Sequence, residues 1–167
     1  MVHLQFSAQS VLWFKSYLTN RTFLVNVEKC FSDPGKLECG VPQGSIMGPL
    51  LFLLYVNDMP GAVNCEMLLY ADDTCLVFQD KDLDTISVRL NTEFNKLCDW
   101  FVDNKLNIHF GEDKTKSILF TGKKRPMDDK LNISRGRTKV TQHREINYLG
   151  CSVDVKSSGE FMALKVI

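Results

Sequence analysis

The sequence predicts an α+β fold in which an antiparallel sheet, containing a hairpin with two adjacent aspartates, packs on helices. Three observations lead to this fold class. An apolar, β-prone run over 67–78 is interrupted at its centre by Asp72 and Asp73. Apolar residues recur every three or four positions over 82–104, which is the pattern of an amphipathic helix. Short β-prone segments bounded by turn residues fill much of the remaining chain.

Composition and charge place the chain among ordinary globular proteins. It has 167 residues, of which 44% are hydrophobic and 24% charged, and 20 basic residues balance 20 acidic ones. Net charge therefore favours no particular partner. The distribution is uneven, because 53–104 holds ten acids and three bases whereas 105–144 holds eleven bases and four acids. An acidic centre beside a basic flank suits a metal site next to a phosphate-binding surface, although mixed solvated faces would give the same counts.

Cysteine spacing and hydropathy indicate the cellular compartment in which the protein is expected. No Cys-x-x-Cys pair is present, so no zinc site is predicted, and Cys65, Cys75 and Cys151 lie in apolar runs that favour buried thiols in a reducing compartment. The longest apolar run, 49–56, is far shorter than the roughly 20 residues of a membrane helix. We expect a soluble intracellular protein, nuclear or cytoplasmic, with no membrane partner.

The first part of the chain predicts helix, strand and loop in that order. The elements are a helix over 7–18, a strand over 21–27, a turn at 32–35 and a returning strand at 37–39. Three glycines and two prolines within 40–49 predict a loop whose backbone can approach a ligand closely. The helix that follows, from Pro49 to about Asp58, is apolar nearly all round, so we expect it to be buried.

The two aspartates allow two interpretations. Buried Asp is rare unless it is paired, capped or bound to a metal, and a divalent cation would keep both neighbouring carboxylates ionised. Asp72 and Asp73 at the tip of a hairpin would supply such a site. Asp also tolerates turn geometry, so a plain Asp-rich turn is an equally open interpretation from these residues alone.

The second part of the chain is predicted to alternate strands with one long helix. The elements are a helix over 82–104 and strands over 106–110, 117–121, 131–134, 138–140 and 146–153. A polar, basic connection covers 122–130, and the tail from 156 gives no clear prediction.

The order of these motifs closely resembles the reverse transcriptases of non-LTR (LINE-type) retrotransposons. Gly40-Val41-Pro42-Gln43-Gly44-Ser45 is similar to that family's motif for positioning template and nucleotide, and Tyr70-Ala71-Asp72-Asp73 is similar to its catalytic metal-binding motif. The resemblance implies roles for nine residues. These are catalysis and metal binding by Asp72 and Asp73, nucleotide binding by Pro42, Gln43, Gly44 and Lys114, and a primer grip at Tyr148, Leu149 and Gly150.

The resemblance also implies a fold and an activity. Residues 1–155 would be a partial reverse transcriptase domain, covering the late fingers and an incomplete polymerase palm, and 156–167 a truncated tail. A primer 3′-hydroxyl would attack the α-phosphate of a deoxynucleotide and release pyrophosphate, with two Mg²⁺ ions, or Mn²⁺ in their place, assisting. The partners would be an RNA template, a DNA primer and deoxynucleoside triphosphates. No oligomeric state is implied.

One departure from the family pattern limits this expectation. In the family, a further Asp on a strand that precedes the helix over 7–18 completes the metal ligands, and no acidic residue before Asp72 has a matching context. We therefore expect this chain to be a polymerase fragment that is inactive alone. The alternatives are a non-catalytic nucleic-acid-binding protein derived from such an element, and an unstable product of a decayed gene.

Overall fold

A computed structural model describes residues 5–111, 114–120, 131–155 and 162–166. Its mixture of helices and strands confirms the predicted α+β class. The chain forms two compact units, Met1–Asn57 and Asp58–Ile167. The domain limits that the sequence predicts, 1–155 and 156–167, stay a prediction. Among the residues described, no helix is both long and apolar enough to cross a bilayer.

The described residues of the first unit, 5–57, form two α-helices and four short strands. They are α1 (Ala8–Leu18), β1 (Arg21–Phe23), β2 (Asn26–Val27), β3 (Cys30–Phe31), β4 (Gly35–Leu37) and α2 (Met47–Val56). Helix α1 begins where predicted, because the Ser7 hydroxyl caps it by accepting a hydrogen bond from the Ser10 amide at 3.1 Å.

Strands β1 to β4 form one interrupted hairpin. Strand β1 pairs with β4 and β2 with β3, both antiparallel, and reciprocal hydrogen bonds between Val25 and Ser32 link the two ladders. The chain reverses at Glu28 and Lys29, whose φ angles of 49° and 70° match a type I′ turn. The predicted turn at 32–35 is therefore wrong, since those residues mark the interruption between β3 and β4.

Helix α2 begins earlier than predicted, and more of its side chains are exposed than predicted. It begins at Met47, so Pro49 lies at the third helical position, still within the first turn, whose amides need no helical partner. Leu51 is buried, but Leu50 and Leu53 are 47% and 52% exposed. The predicted all-round burial is wrong because only one face of the helix is covered within the described chain.

The second unit begins with a 3-10 helix at Met59–Ala62, and the part of it that the structure describes contains one long helix and nine strands. They are β5 (Glu66–Tyr70), β6 (Asp73–Phe78), α3 (Leu83–Asp103), β7 (Lys116–Leu119), β8 (Ser134–Arg135), β9 (Thr138–Lys139), β10 (Thr141–His143), β11 (Glu145–Tyr148), β12 (Cys151–Asp154) and β13 (Met162–Val166).

Five of these strands form one sheet in the order β10-β7-β13-β6-β5. All neighbouring pairs are antiparallel, as predicted, except β10 with β7, which is parallel. Strand β13 belongs to the tail that begins at residue 156, for which the sequence offers no clear prediction. It lies between β6 and β7. Strands β8 and β9, and β11 and β12, form two further antiparallel hairpins.

Helix α3 supplies much of the core of this unit. The Asp82 carboxylate caps it by accepting a hydrogen bond from the Thr85 amide at 2.8 Å. The predicted apolar stripe of α3 is buried along its middle and half-buried at its two ends, Leu83 and Phe101. The central residues of β6 and β7 are buried as well; the buried side chains are Ile86, Leu90, Phe94, Leu97, Leu76 and Ile118. Each fully buried side chain of this size contributes about 1.5–3 kcal/mol.

Two smaller predictions for this unit are wrong. Residues 106–110 form no strand; Phe110 instead packs edge-on against Phe94 of α3, with 6.1 Å between ring centroids. Cys75 is buried as expected and Cys65 is half-buried, but Cys151 is exposed because it begins β12 in a two-stranded hairpin.

Candidate active site

The two aspartates lie at the reversal of the β5–β6 hairpin. Tyr70 pairs with Asp73, so Ala71 and Asp72 are the central turn residues. Ala71 has a φ of 52° and Asp72 has a negative φ, the combination found in type II′ turns. Asp72 is exposed, and Asp73 is half-buried at the first position of β6. The predicted hairpin is therefore present, with Asp72 in its turn and Asp73 opening the strand.

The strands of this hairpin differ in burial, although both were expected to be buried. Strand β6 lies inside the sheet and its residues are mostly buried. Strand β5 is the sheet edge, where Leu68 and Tyr70 are 44% and 65% exposed. An edge strand lacks a neighbour on one side, which explains the difference.

Tyr148 lies within electrostatic range of Asp73. Burial raises the pKa of Tyr148, and the ionisable groups of Cys75 and Asp73 raise it further. Asp73 and Cys75 are alternate residues of β6 and so lie on the same face. The structure thus brings one predicted primer-grip residue close to one predicted metal ligand.

The other two primer-grip residues form a turn. Leu149 and Gly150 connect β11 to β12 with φ angles of 49° and 79°, and Tyr148 pairs with Cys151 across them. The predicted strand over 146–153 is therefore two strands joined by a type I′ turn. Leu149 is exposed at its tip.

Lys114 lies just before the end of the sheet at which Asp73 is found. Strand β13 is antiparallel to both β6 and β7, and its Lys165 pairs with Cys75 on one side and Lys116 on the other. Strands β6 and β7 therefore begin at the same end of the sheet, where Asp73 is the first residue of β6 and Lys114 lies in the turn two residues before β7. The Lys114 side chain is exposed, and its amide donates to the Gly111 carbonyl at 2.9 Å.

Pro42, Gln43 and Gly44 belong to the other compact unit. They form a tight turn in which the Ser45 amide donates to the Pro42 carbonyl at 3.3 Å, and Gly44 has a φ of 75°. Type II turns require a positive φ at this third position, which explains the glycine. Gln43 is exposed at the tip. The Ser45 hydroxyl accepts from the Gly48 amide at 3.0 Å and so ties the turn to α2.

Arg21 was given no role from the sequence, yet it supports this loop. Its Nε donates to the Leu18 carbonyl at 3.0 Å, and its Nη2 donates to the Gly40 carbonyl at 2.6 Å and to the Cys39 carbonyl at 3.5 Å. One guanidinium therefore joins the end of α1 to the start of the loop. The only signal in the sequence was an arginine three residues after the end of the helix.

The donor set at the hairpin suits a hard divalent cation. Carboxylate oxygens are the ligands that Mg²⁺ prefers, and protein sites often supply one or two of them and leave the other positions to water and phosphate. Asp72 and Asp73 match that number. Within 5–111, 114–120, 131–155 and 162–166, no group of three His, Cys, Asp or Glu residues is arranged to hold a metal.

Comparison with known proteins identifies the class to which this fold and hairpin belong. The sequence pattern of the family described as "Reverse transcriptase (RNA-dependent DNA polymerase)" matches residues 3–153. The chain belongs to this family, and the resemblance stated from its motifs is confirmed. Enzymes of the family use divalent metal ions, a nucleic-acid template and primer, and deoxynucleoside triphosphates.

Its relatives are polymerases of mobile elements. The chain is 30% identical over 145 residues to the probable RNA-directed DNA polymerase from transposon X-element of Drosophila melanogaster, covering 84% of this chain and 15% of the relative. It is 28% identical over 159 residues to the RNA-directed DNA polymerase from mobile element jockey of the same species, covering 90% and 17%. The chain thus spans about a sixth of their length. No solved structure matches it.

Proposed function

We propose that this chain is part of the palm and late fingers of a reverse transcriptase and that Asp72 and Asp73 are its catalytic metal ligands. The observation that carries the proposal is that Asp73 begins β6 and Lys114 lies just before β7, at the same end of the sheet, with Tyr148 within electrostatic range of Asp73. Transfer of a nucleotide to a primer requires carboxylates that can hold a metal ion and positive charge near the phosphates. The hairpin aspartates and Lys114 supply these two requirements at one end of the sheet. The activity belongs to the whole polymerase, in which residues 1–155 would form the reverse transcriptase segment and 156–167 a tail.

Each predicted residue has a role in this proposal. Asp72 and Asp73 would hold Mg²⁺, or Mn²⁺ in its place, and the chemistry that such an ion would supply is activation of the attacking hydroxyl and stabilisation of the leaving oxygen. Lys114 supplies positive charge near the triphosphate. Tyr148, Leu149 and Gly150 support the primer end. Pro42, Gln43 and Gly44 shape the nucleotide and template pocket from a turn whose backbone is close to the surface.

We further propose that the 167-residue chain does not polymerise by itself. Two carboxylates can retain one Mg²⁺ with water and phosphate, but a two-metal centre needs further bridging ligands. In the described part of the chain no third acidic, histidine or cysteine side chain joins the pair.

The metal proposal is tested by Mn²⁺ binding to the purified chain, followed by electron paramagnetic resonance. We expect saturable binding of one ion that Asp73→Asn weakens at least tenfold, because one anionic ligand becomes neutral. Asp84→Asn, a carboxylate in the first turn of α3, is the matched control and leaves binding unchanged. Equal binding by wild type and Asp73→Asn would contradict the proposal.

The inactivity proposal is tested by primer extension on an RNA template. We expect no synthesis above the level of an Asp72→Ala control. If the wild-type chain made template-dependent products and the Asp72→Ala variant made none, the chain would contain a working two-metal centre. That result would overturn the proposal that the chain is inactive by itself.

A second candidate function is that of a non-catalytic nucleic-acid-binding protein. The observation that favours it is the cluster of exposed cations on the β8–β9 hairpin, remote in sequence from the aspartates. Under this candidate function, Asp72→Ala leaves the affinity for an RNA–DNA hybrid unchanged.

A further inference from the structure

The β8–β9 hairpin, residues 134–139, presents positive charge at its tip; we call it the basic hairpin. Arg135 pairs with Thr138, so Gly136 and Arg137 are its turn residues. Gly136 has a φ of 58° at the first central position, where a type II′ turn needs glycine. Arg137 and Lys139 are exposed.

Side chains one helical turn apart on α3 hold the backbone that leads into this hairpin. Asn91 donates from Nδ2 to the Asn132 carbonyl and accepts at Oδ1 from the Ser134 amide at 3.0 Å. Asn95 donates to the Ser134 carbonyl at 3.3 Å. Both backbone groups of Ser134 are thus bound to the helix.

Arg135, the first cation of the hairpin, also contacts α3. Arg135 donates from Nη1 to Asn95 Oδ1 at 3.1 Å, and its Nη2 forms an ion pair with Asp99. Asn91, Asn95 and Asp99 lie at intervals of four residues along α3, so the three side chains form one row facing the hairpin.

The base of the hairpin is fixed in the core. Ile133 is 1% exposed and Val140 is also buried, and the Val140 amide donates to the Ile133 carbonyl at 2.9 Å. The hairpin therefore has a buried apolar base and a first strand that is hydrogen-bonded to α3, while residues 136–139 are exposed.

The remaining two cations take no part in this attachment. Lys139 pairs with Ser134, which places its side chain on the face of the hairpin opposite Arg135. Over the described residues neither Arg137 nor Lys139 makes an ion pair or side-chain hydrogen bond. Cations held on a rigid support lose less conformational entropy on binding an anion than cations on a mobile loop.

We propose that the basic hairpin binds the phosphate backbone of a nucleic acid through Arg137 and Lys139. The proposal rests on the proposed function in taking nucleic acid as the partner. Two exposed cations on a preformed hairpin suit a regular row of phosphates. Phosphate contacts carry no information about the bases, so we expect this binding to be independent of nucleotide sequence.

The experiment measures fluorescence anisotropy of a labelled RNA–DNA hybrid with the full chain over a series of KCl concentrations. We expect R137A/K139A to weaken binding at least tenfold near 0.1 M salt. The slope of log K against log salt should become shallower by about two, because each lost phosphate contact removes about 0.9 on duplex DNA. R137K/K139R keeps both charges and should retain the wild-type slope.

The matched control is K15A/K36A, which removes two exposed cations from the first unit. It should leave both affinity and slope near the wild-type values. If R137A/K139A binds like the wild type, or if K15A/K36A weakens binding equally, the proposal is overturned. If the wild type binds no hybrid in a salt-dependent way, the proposal also fails, while Mn²⁺ binding at Asp73 can still succeed and keep the metal proposal intact.

Discussion

Ala71 holds a backbone conformation that favours glycine. Its φ of 52° falls in the left-handed region, which costs a residue with a Cβ roughly 1–2 kcal/mol. The basic hairpin has Gly136 at the equivalent turn position. The turn that carries Asp72 is thus strained where the other is not. Strain of this kind is often found where a turn must hold functional side chains in one geometry.

Replacing Ala71 with glycine should relieve this strain. We expect Ala71→Gly to raise the free energy of unfolding by about 0.5 kcal/mol, since relief of strain outweighs the added entropy of the unfolded chain. Urea denaturation measures the change. The control Ala62→Gly, in the 3-10 helix, should destabilise the chain. A loss of stability for Ala71→Gly of the same size as the control would contradict the assignment of strain.

Glu93 is a buried carboxylate with two partners. It is 8% exposed, and it accepts hydrogen bonds from the Asn64 amide at 2.6 Å and from Lys96 Nζ at 2.8 Å. Burial alone would raise its pKa, but the hydrogen bonds from Lys96 and Asn64 and the charges of Lys96 and Arg89 together lower it below 4.5. Glu93 thereby fixes the segment that enters β5.

This lowered pKa makes stability depend on pH. The contribution of Glu93 is complete above its unfolded pKa, near 4.5, and is lost as the pH falls through the lower folded pKa. We expect Glu93→Gln to lower the free energy of unfolding by about 1–2 kcal/mol at pH 7. Between neutral and acidic pH, the free energy of unfolding of this variant should fall less than that of the wild type. Denaturation curves over a pH series test this. Glu66→Gln, on exposed β5, is the control, and parallel pH profiles for wild type and Glu93→Gln would rule the role out.

At the scale of elements, the glycine-rich loop owes its position to a single guanidinium. Arg21 binds the carbonyls of Leu18, Cys39 and Gly40, and so fixes where the loop leaves the strand pair. The planar fork of arginine reaches several acceptors at once, which a lysine cannot reproduce. The neighbouring hydrogen bonds of Ser45 then hold the turn against α2.

Removing this guanidinium should loosen the loop more than it destabilises the unit. We expect Arg21→Lys and Arg21→Ala both to cost about 2 kcal/mol locally and to speed amide hydrogen exchange at Ser45 and Gly48 by more than tenfold. Lys36→Ala, an exposed cation in the paired strand β4, is the control. Unchanged exchange at both amides in Arg21→Ala would contradict the role assigned to Arg21.

At the scale of the whole molecule, the main sheet depends on the segment 162–166. Strand β13 pairs with β6 and β7 at once, so it supplies hydrogen-bond partners to both. Leu164 lies in the middle, opposite Leu76 on one side and Ser117 on the other, and both of these residues are fully buried. Without β13, the sheet would be divided into the pairs β5–β6 and β7–β10, and β6 and β7 would each lose one of their two partners.

A proline within β13 should therefore disrupt the second unit. Leu164→Pro removes an amide donor and introduces a steric clash inside the sheet, and we expect it to cost at least 3 kcal/mol and to promote aggregation. Leu164→Val is the control, because it keeps the amide and a high β-propensity. Circular dichroism melting and light scattering measure the two effects. Similar melting of both variants would mean that β13 contributes little to the sheet.

The features predicted correctly are those encoded by neighbouring residues. The three-to-four spacing of Ile86, Leu90 and Phe94 predicted α3 because helical periodicity is local. The β-prone flanks of Asp72 and Asp73 predicted the hairpin for the same reason. The turn at 32–35 failed because glycine and proline also occur at strand interruptions, whereas Glu28 and Lys29 carry no turn signal.

Local composition and motif order were enough to predict the α+β class, the family, the Asp hairpin and the long helix. The folded chain was needed to show that β13 lies between β6 and β7, that β5 is an exposed edge, and that Lys114 precedes β7 at the end of the sheet where β6 begins. It alone also showed the contacts of Arg21 and of Asn91 and Asn95. These features depend on pairing between residues far apart in the chain, and such pairing is set by packing and backbone hydrogen bonding rather than by any local pattern.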